Sequence, residues 1–300
     1  MLTIFAVPKA FQGHTGIIQL NAIRSWSRLA EGCEIILCGD DPGTEEAAAE
    51  VGAKYIPDIA RNEYGTPLLD SIFARAAEEA SNELLCYVNA DIILLRDFVE
   101  AIGRIPFETF LMVGRRWNVD ITEPLSYTQP DWEKRLRAHV AGHGELFSQF
   151  GIDYFAFPRK SGMAELPPFA VGRPGWDNWF IYNARMRAFP VIDATRAVTV
   201  IHQNHGYAHV PKQKGAGWEG PEADANREII GGWERFFNID DATHIMTQGG
   251  LRRARELQHL RRRWQTLPAF VPAAAPTMRL LRAAGYYLRV WERFGNSHKA

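Results

Sequence analysis

Short apolar runs alternate with stretches of helical apolar spacing over roughly the first ninety residues of the chain. The apolar runs predict strands at Leu2–Val7, Glu34–Cys38, Tyr55–Ile56 and Leu84–Asn89. Between them, apolar spacing and turn residues predict helices at Ile17–Leu29, Thr44–Val51 and 66–80. An alternation of elements of this size is typical of an α/β fold, with a mostly parallel sheet and helices on both of its faces.

The second half of the chain is less regular. Its patterns predict helices at Asp97–Ile105, Asp131–Val140 and Gly175–Arg187, and strands at Phe110–Gly114, Ile152–Phe157 and Ala197–His202. Residues 203–245 are rich in Gly, Asn, His and Trp, which is typical of a long functional loop. From about Met246 the pattern is Arg-rich and helical, interrupted at Pro268–Pro276 and resumed at Met278–Phe294. We therefore expect a domain at 1–245 and a basic helical extension at 246–300.

Charge is distributed unevenly along a chain that is nearly neutral overall. The net charge of −1 gives no general attraction to nucleic acid. Residues 251–300, however, carry ten Arg and one Lys against two Glu, a net charge of +9. This asymmetry predicts a separate partner for the basic part. The candidates are an anionic membrane surface, with Tyr286, Tyr287 and Trp291 at the interface, packing on the domain, or a contact between two copies in an oligomer.

The cysteines and the apolar runs bear on the cellular compartment. Cys33, Cys38 and Cys86 show neither zinc spacing nor a disulfide framework, which indicates free thiols in a reducing compartment. No run of about 18 apolar residues occurs, so we expect no membrane-spanning helix. The first apolar run stops at Pro8 and follows no basic segment, so we interpret it as a first strand and not a signal peptide. We expect a cytoplasmic protein.

The segment Tyr87-Val-Asn-Ala-Asp91 ends a predicted strand with a carboxamide and a carboxylate. In open α/β sheets, ligands bind beyond the carboxyl ends of the strands. Hard oxygen ligands at such an edge suit a divalent cation that bridges phosphates and stabilises a departing diphosphate. An Asn/Asp turn after a strand is also common without any ligand, so this segment alone leaves a structural role open.

Two further segments carry residues suited to chemistry. Asp177 lies at a predicted helix start within Gly172-Arg-Pro-Gly-Trp-Asp-Asn-Trp179. A carboxylate there could take a proton from a hydroxyl, or could simply favour the helix start. The segment His202-Gln-Asn-His-Gly-Tyr-Ala-His209 follows a predicted strand. Neutral imidazole is a common ligand of transition metals such as Mn²⁺, although a single strand-end histidine is often structural.

Taken together, residues 1–210 resemble the GT-A fold of nucleotide-diphospho-sugar transferases. Asn89-Ala-Asp91 looks like the DxD motif of that fold with its first Asp replaced by Asn. The resemblance implies that Asp91 binds Mn²⁺ or Mg²⁺ and that Asn89 contacts ribose or phosphate. Asp177 matches the catalytic base of inverting members, although the acid that usually precedes this base is absent here. His202 resembles the histidine that completes the metal shell, with His205 as the alternative.

The same resemblance suggests where the two substrates bind. It implies that Asp40 contacts the nucleoside and that Glu63-Tyr64-Gly65-Thr66 closes over the base and the ribose. Pro8–His14 follows the first strand, where this fold places the nucleotide. Pro8 would lie against the nucleotide, Lys9 could meet phosphate and Phe11 could stack on the base; a plain turn is the alternative. Aromatic faces suit sugar rings, and the candidates for acceptor contact are Arg116, Trp117, Asp153, Tyr154 and Trp176.

We therefore expect a metal-dependent inverting glycosyltransferase of polysaccharide biosynthesis, with a nucleotide-diphosphate sugar as donor. Its acceptor would be a glycan, a lipid-linked or a small-molecule hydroxyl. A retaining enzyme of the same fold is the first alternative. A sugar nucleotidyltransferase is the second, although Pro8–His14 lacks the Gly-rich basic loop that grips a triphosphate. A non-catalytic binding module is the third. A dinucleotide dehydrogenase is dropped because no GxGxxG follows the first strand.

Overall fold

The computed structural model of the chain describes residues 1–205 and 219–277, and a nine-stranded sheet forms the centre of that part. The strands of this sheet are Leu2–Ala6 (β1), Glu34–Cys38 (β2), Lys54–Ile56 (β3), Leu84–Val88 (β4), Leu111–Val113 (β6), Tyr154–Pro158 (β9), Val191–Arg196 (β10), His244–Thr247 (β12) and Gly250–Arg253 (β13). A second, four-stranded sheet contains Ile92–Ile93 (β5), Trp117–Val119 (β7), Glu145–Leu146 (β8) and Ile201–Gln203 (β11).

Helices cover both faces of the central sheet. The α-helices are Gly13–Trp26 (α1), Thr44–Val51 (α2), Leu69–Glu79 (α3), Arg96–Ile102 (α4), Trp132–His143 (α5), Trp176–Met186 (α6), Pro221–Ile230 (α7) and Leu257–Phe270 (α8). Short 3₁₀ turns lie at Arg159–Ser161, Trp233–Arg235, Ile239–Asp241 and Pro272–Ala274. None of the helices in residues 1–205 and 219–277 is long and apolar enough to cross a membrane.

The order of strands in the central sheet is β13-β12-β10-β6-β9-β4-β1-β2-β3. Strands β1 to β4 pair in parallel, as do β6, β10 and β12, whereas β9 runs antiparallel between β4 and β6. The structure thus confirms the expected α/β class, with a mostly parallel central sheet flanked by helices and a helical segment after it. The antiparallel β9 brings its starting end to the carboxyl end of β4.

Alternation along each strand divides the apolar core between the two faces of the sheet. In β1, Ile4 belongs to the cluster beneath α1, α2 and α4, whereas Phe5 belongs to the cluster beneath α3 and α6. On the second face the ring of Phe73 lies 4.9 Å from that of Phe5 and 5.3 Å from that of Tyr87. Burying each such side chain contributes about 1.5–3 kcal/mol, so both helix layers are firmly attached to the sheet.

The predicted helix start at Thr66 is wrong by three residues, because α3 begins at Leu69. Residues 61–68 instead form a closed loop in which Arg61 and Pro67 make an isolated antiparallel bridge. The amide oxygen of Asn62 accepts hydrogen bonds from the backbone N–H of Tyr64 and of Thr66. Asn favours such side-chain turns over helix interiors, and this preference overrides the helical signal of Pro67.

The predicted boundaries of the C-terminal half also change. Residues 197–200 of the expected strand Ala197–His202 lie outside any strand, and β10 comes before them. Residues 244–253, expected in part as helix, form β12 and β13 and complete the sheet. Helix α7 lies within the expected loop 203–245. A division at residue 245 stays a prediction, and it falls inside β12. The predicted helix Met278–Phe294, with Tyr286, Tyr287 and Trp291, lies outside the described residues, as does His209.

Candidate active site

The carboxyl ends of β1, β2 and β4 meet at one edge of the central sheet, as parallel strands require. Asp40 follows β2, and Asn89 and Asp91 follow β4. The start of the antiparallel β9 joins the same edge, because the backbone N–H of Asn89 donates to the carbonyl of Asp153 at 3.0 Å. The predicted donor residues and one predicted acceptor residue are therefore neighbours at this edge.

Asp91 lies against two histidines that come from far along the chain. Its Oδ2 is 3.0 Å from Nε2 of His205 and 3.5 Å from Nε2 of His202. One potential ligand atom from each of the three residues falls within a 4.8 Å group. Strand pairing explains the meeting, because His202 in β11 stands opposite Ile92 in β5, the residue directly after Asp91. The expected grouping of these three residues is thus present.

A buried glutamine fixes the backbone of this cluster. Gln203 donates through Nε2 to the carbonyl of Asp91 at 3.0 Å and to that of Ile18 at 2.7 Å. Its Oε1 accepts from Nδ2 of Asn21 at 2.9 Å. Since Gln203 lies between the two histidines in sequence and has no exposed surface, its side chain holds the histidine segment against the aspartate.

The three side chains fit a divalent cation. Within the described part of the chain, Oδ1 of Asp91 and Nδ1 of His202 are buried without a hydrogen-bond partner. Such atoms are rare in native proteins and often mark the place of an ion or ligand. Burial tends to raise the pKa of Asp91, but the hydrogen bonds and charges of His202 and His205 outweigh it and hold the pKa well below its usual range. Two imidazoles with one carboxylate suit a transition metal better than Mg²⁺.

Asp177 opens helix α6, and its neighbour Trp176 anchors that helix end to the sheet. The ring of Trp176 lies 5.2 Å from that of Tyr87 and 4.9 Å from that of Phe155. Burial raises the pKa of Asp177 to about 6, the charge of Asp153 adds to the rise, and backbone hydrogen bonds at the helix start oppose it. A carboxylate with such a pKa can accept a proton near neutral pH.

Asp153 is held by two donors. Its Oδ1 accepts from Nδ2 of Asn89 at 2.7 Å, and its Oδ2 accepts from Nη1 of Arg116 at 2.6 Å. Arg116 also donates through Nε to Oδ1 of Asn118 at 3.0 Å, and its guanidinium lies over the ring of Phe147. Both carboxylate oxygens of Asp153 are thus engaged inside the protein, which leaves little of it to contact an acceptor.

Two other predicted acceptor residues are corrected by their burial. Tyr154 has no exposed surface, and its ring packs edge-on against Phe98 in the core. Trp176 is 7% exposed and serves as the core anchor of α6. The alternation of β9 explains Tyr154, because the side chain after Asp153 points to the opposite face of the sheet. Trp117 is half-buried in β7 and keeps an accessible part of its ring.

The predicted donor residues occupy the loops after β1, β2 and β3. Pro8 is buried, and the backbone of exposed Lys9 is held at both its N–H and its carbonyl by the side chain of Gln19. The side chain of Phe11 packs against Gly43 in the loop after β2, where a Cβ would collide with it. Phe11 is therefore partly committed to joining these two loops. The predicted contact of these residues with a nucleotide stays a prediction.

Asp40, Tyr64 and Thr66 belong to a network that the sequence did not predict. The guanidinium of Arg61 bridges Asp40 and Asp41 and also donates to the carbonyl of Gly65. Glu222 of α7 accepts from Asn62 at 2.7 Å and pairs with Arg173, just before α6. Tyr64 is 55% exposed at the tip of this loop. These contacts join loop 61–66 to the segment that carries Asp177. No local sequence pattern predicts them.

Comparison with protein families finds no family model that matches this chain, and no curated protein matches it. Among solved structures, the chain is similar to the glucosyl-3-phosphoglycerate synthase of Mycobacterium tuberculosis in complex with Mg²⁺ and uridine diphosphate. The identity is 15%, the TM-score is 0.43, and the match covers 70% of this chain and 73% of that chain. The complex of that enzyme with Mn²⁺, uridine-diphosphate-glucose and phosphoglyceric acid gives 15% identity, a TM-score of 0.42, and coverage of 70% and 74%.

Proposed function

We propose that this protein is a metal-dependent glycosyltransferase that transfers a sugar from a nucleotide-diphosphate sugar to an acceptor hydroxyl, with inversion at the anomeric carbon. The acceptor class is a glycan, a lipid-linked sugar or a small molecule. The observation that carries the proposal is the cluster of Asp91, His202 and His205 at the carboxyl edge of a parallel sheet. This is the edge at which open α/β sheets bind their ligands.

In this proposal the metal ligands are Asp91, His202 and His205. Asp91 supplies a carboxylate held in its ionised form, and His202 and His205 supply ring nitrogens. A bound Mn²⁺ or Mg²⁺ supplies positive charge against the diphosphate. The chain's own residues orient the donor. Asn89 presents an amide two residues before Asp91, Asp40 lies just after the end of β2, and the exposed Tyr64 lies in the loop 61–66.

Asp177 is proposed as the general base. Its carboxylate accepts the proton of the acceptor hydroxyl as that oxygen bonds to the anomeric carbon, while the bond from this carbon to the diphosphate oxygen breaks and the nucleoside diphosphate leaves. The buried start of α6 supports this role, because a pKa of about 6 keeps the group ionised at neutral pH and still basic. Arg116 pairs with Asp153, whose charge acts on Asp177, and we propose that Arg116 and Trp117 border the acceptor. In a retaining enzyme, Asp177 would only orient the donor.

A panel of nucleotide-sugars with Mn²⁺ tests the proposal, read as donor hydrolysis and as a thermal shift. We expect one base and one sugar to be preferred, and the effect to disappear on chelation. No response to any donor, or a response that is unchanged without metal, would contradict it. NMR of the product anomer then decides between inversion and retention. Release of pyrophosphate from a nucleoside triphosphate and a sugar phosphate would point to the nucleotidyltransferase instead.

We also propose that α8, the helix that opens the basic extension, rests on the anionic inner face of a membrane. Leu257, Leu260 and Trp264 are 80%, 49% and 57% exposed. Their spacing of three and four residues puts them on one face of the helix. The opposite face is docked on the domain, where Arg262 donates through Nε to buried Asp241 at 3.0 Å. The apolar stripe is therefore turned away from the protein.

The positive charge near this apolar stripe indicates which partner binds to it. Arg261, the residue after Leu260 on α8, is exposed, and residues 251–300 carry a net charge of +9. A second copy of the same face would be repelled, whereas anionic lipid is attracted and the apolar side chains insert at the headgroup boundary. A cytoplasmic enzyme placed in this way would meet lipid-linked acceptors.

Vesicle sedimentation tests the contact. The full chain should pellet with phosphatidylglycerol-containing vesicles and not with pure phosphatidylcholine, and L260S/W264S should stay in the supernatant. M186S is the matched control, because Met186 is 44% exposed on α6. Equal recovery of wild type and L260S/W264S from anionic vesicles would contradict the proposal. If the wild type is a dimer and L260S/W264S is a monomer, the stripe would instead be the contact with a second copy of the chain.

A further inference from the structure

The carboxylate of Asp153 accepts hydrogen bonds from the side chains of both Asn89 and Arg116. Arg116 donates to Oδ2 of Asp153 at 2.6 Å, and Asn89 donates to Oδ1 of the same carboxylate at 2.7 Å. The side chains of Arg116 and Asp153 are only 15% and 7% exposed. The backbone N–H of Asn89 also donates to the carbonyl of Asp153. Residue 89 is thus attached to residue 153 through both its main chain and its side chain.

The hydrogen bond to Asp153 determines which way the side-chain amide of Asn89 faces. The opposite orientation would set the amide oxygen against a carboxylate oxygen at hydrogen-bond distance, with no proton between two acceptors. The NH₂ group therefore faces Asp153, and the amide oxygen is directed away from it. Asn89 can offer this oxygen to a ligand at the strand end, two residues before Asp91.

We infer that Asp153 is a positioning residue that requires an amide at position 89. The hydrogen bond from Asn89 to Asp153 then orients Asn89 for binding of the nucleotide-sugar. The inference rests on the proposed function for its ligand, and on geometry alone for the pairing. It gives Asp153 a role different from acceptor contact. It also explains why a carboxylate is absent from position 89, where two facing carboxylates would share no donor.

An exchange of the two side chains provides the decisive variant. In N89D/D153N, the introduced amide can donate its NH₂ to the introduced carboxylate and accept from Arg116 through its oxygen. The number of hydrogen bonds and the total charge stay the same. N89D alone sets two acceptors against each other, and D153N alone leaves one amide oxygen to serve both Arg116 and Asn89. The exchange should therefore repair what each single change damages.

Melting temperature without ligand is the first readout. N89D should lower the Tm by about 3 °C or more, and N89D/D153N should recover most of the loss. N118D is the matched control, because Asn118 uses its oxygen to accept from Arg116. A carboxylate there keeps the bond while adding the same charge, so its Tm should stay close to that of the wild type. An N89D protein as stable as wild type, or an exchange no better than N89D, would overturn the inference.

Calorimetry with UDP, GDP and ADP in the presence of Mn²⁺ is the second readout. For the diphosphate that binds best, N89D should weaken affinity about ten-fold, and the exchange should recover at least half of that loss on a logarithmic scale. If affinity falls with N89D and the exchange does not restore it, the pairing has no part in donor binding. If the wild type binds no diphosphate, the proposed function fails, while the melting temperatures still decide whether the pair exists.

Discussion

Two carboxylates at the same edge of the sheet, Asp91 and Asp177, are in opposite electrostatic environments. Burial acts on both, and in both it favours the protonated form. At Asp91 two imidazoles reverse this effect and the pKa falls well below the ordinary range. At Asp177 only backbone hydrogen bonds oppose it, the charge of Asp153 adds to it, and the pKa rises to about 6. Burial therefore sets the direction of the pKa shift at Asp177, whereas the two neighbouring imidazoles reverse it at Asp91.

This difference divides the chemistry between two regions. A group that stays ionised at every physiological pH suits a permanent cation ligand. A group that titrates near neutrality suits proton transfer. Pairs of titratable groups whose environments separate their pKa values are typical of acid–base sites. We therefore propose that the strand-end region with Asp91 serves the donor and its metal, and that the helix-start region with Asp177 serves the acceptor proton.

The largest expected effect is that of Asp177→Asn on turnover. Removing the base should lower kcat by about 10³-fold, within the range of general base catalysis. Nucleotide affinity should stay within about two-fold, because the metal site is in the other region. Initial rates and calorimetry measure the two quantities. Asp224→Asn is the matched control, an aspartate in the first turn of α7, and it should keep full activity. An equal loss of kcat and of nucleotide affinity would contradict the division of roles between the Asp91 region and the Asp177 region.

Asp91→Ala should affect the region proposed to bind the metal and the nucleotide. We expect Mn²⁺-dependent nucleotide affinity to fall about 10²-fold, because the remaining imidazoles lack the anionic ligand. Asn89→Ala should weaken affinity less. His202→Ala and His205→Ala, measured by the same calorimetry, decide which histidine binds the metal. If Asp91→Ala keeps full Mn²⁺-dependent nucleotide binding, Asp91 is not a metal ligand. Only the proposed role of Asp177 would then remain.

The sequence predicts the Asp91 region better than it predicts the surroundings of Asp177. Strands β1 to β4 have local signals, since each is followed within two residues by Pro, Gly or Asn. The meeting of Asp91 with His202 is an expectation that comes from the resemblance to the GT-A fold. By contrast, β10 contains Asp193, Thr195 and Arg196 and is less strand-like than the Ala197–His202 segment after it. Pairing with β6 and β12 makes it a strand, and such context outweighs local preference.

The neighbours of Asp177 and Asn89 could not be predicted for a related reason. Asp153 reaches them only because β9 inserts antiparallel between β4 and β6, 64 residues after Asn89. The link from Asn62 through Glu222 to Arg173 spans 160 residues. No periodicity within a window of the sequence encodes such contacts. Burial of Tyr154 follows from the register of β9, in which a shift of one residue reverses every side chain.

The pH dependence of turnover is the next test of the contrast. A base with a pKa of about 6 is active when deprotonated, so kcat should rise about ten-fold per pH unit below 6 and level off above it. Rates should be measured at saturating donor and Mn²⁺, so that weaker metal binding in acid does not imitate the effect. Asp177→Asn should lack this slope in its residual activity. A wild-type profile that is flat from pH 5 to 8 would remove Asp177 as the base.

The smallest expected effect is on stability, and its sign is opposite to that on activity. The folded pKa of Asp177 is raised above its unfolded value near 3.8, so the native state binds more protons than the unfolded state between these values. Stability of the wild type therefore falls as pH rises from about 4 to 6, by up to about 3 kcal/mol. Asp177→Asn carries no charge there, so it should melt about 3 to 6 °C above wild type at pH 8.

The advantage of Asp177→Asn should shrink as the pH falls through 6 and should disappear near pH 4, where the wild-type carboxyl is protonated in both states. Differential scanning calorimetry of both proteins between pH 4 and pH 8 measures this difference directly. The exposed Asp224→Asn should change the Tm by less than about 1 °C at each pH. An inactive variant that is more stable than wild type only above pH 6 would identify Asp177 as a carboxylate kept ionised at a cost to folding. A constant difference across the range would attribute the change to packing and leave the electrostatic contrast with Asp91 unsupported.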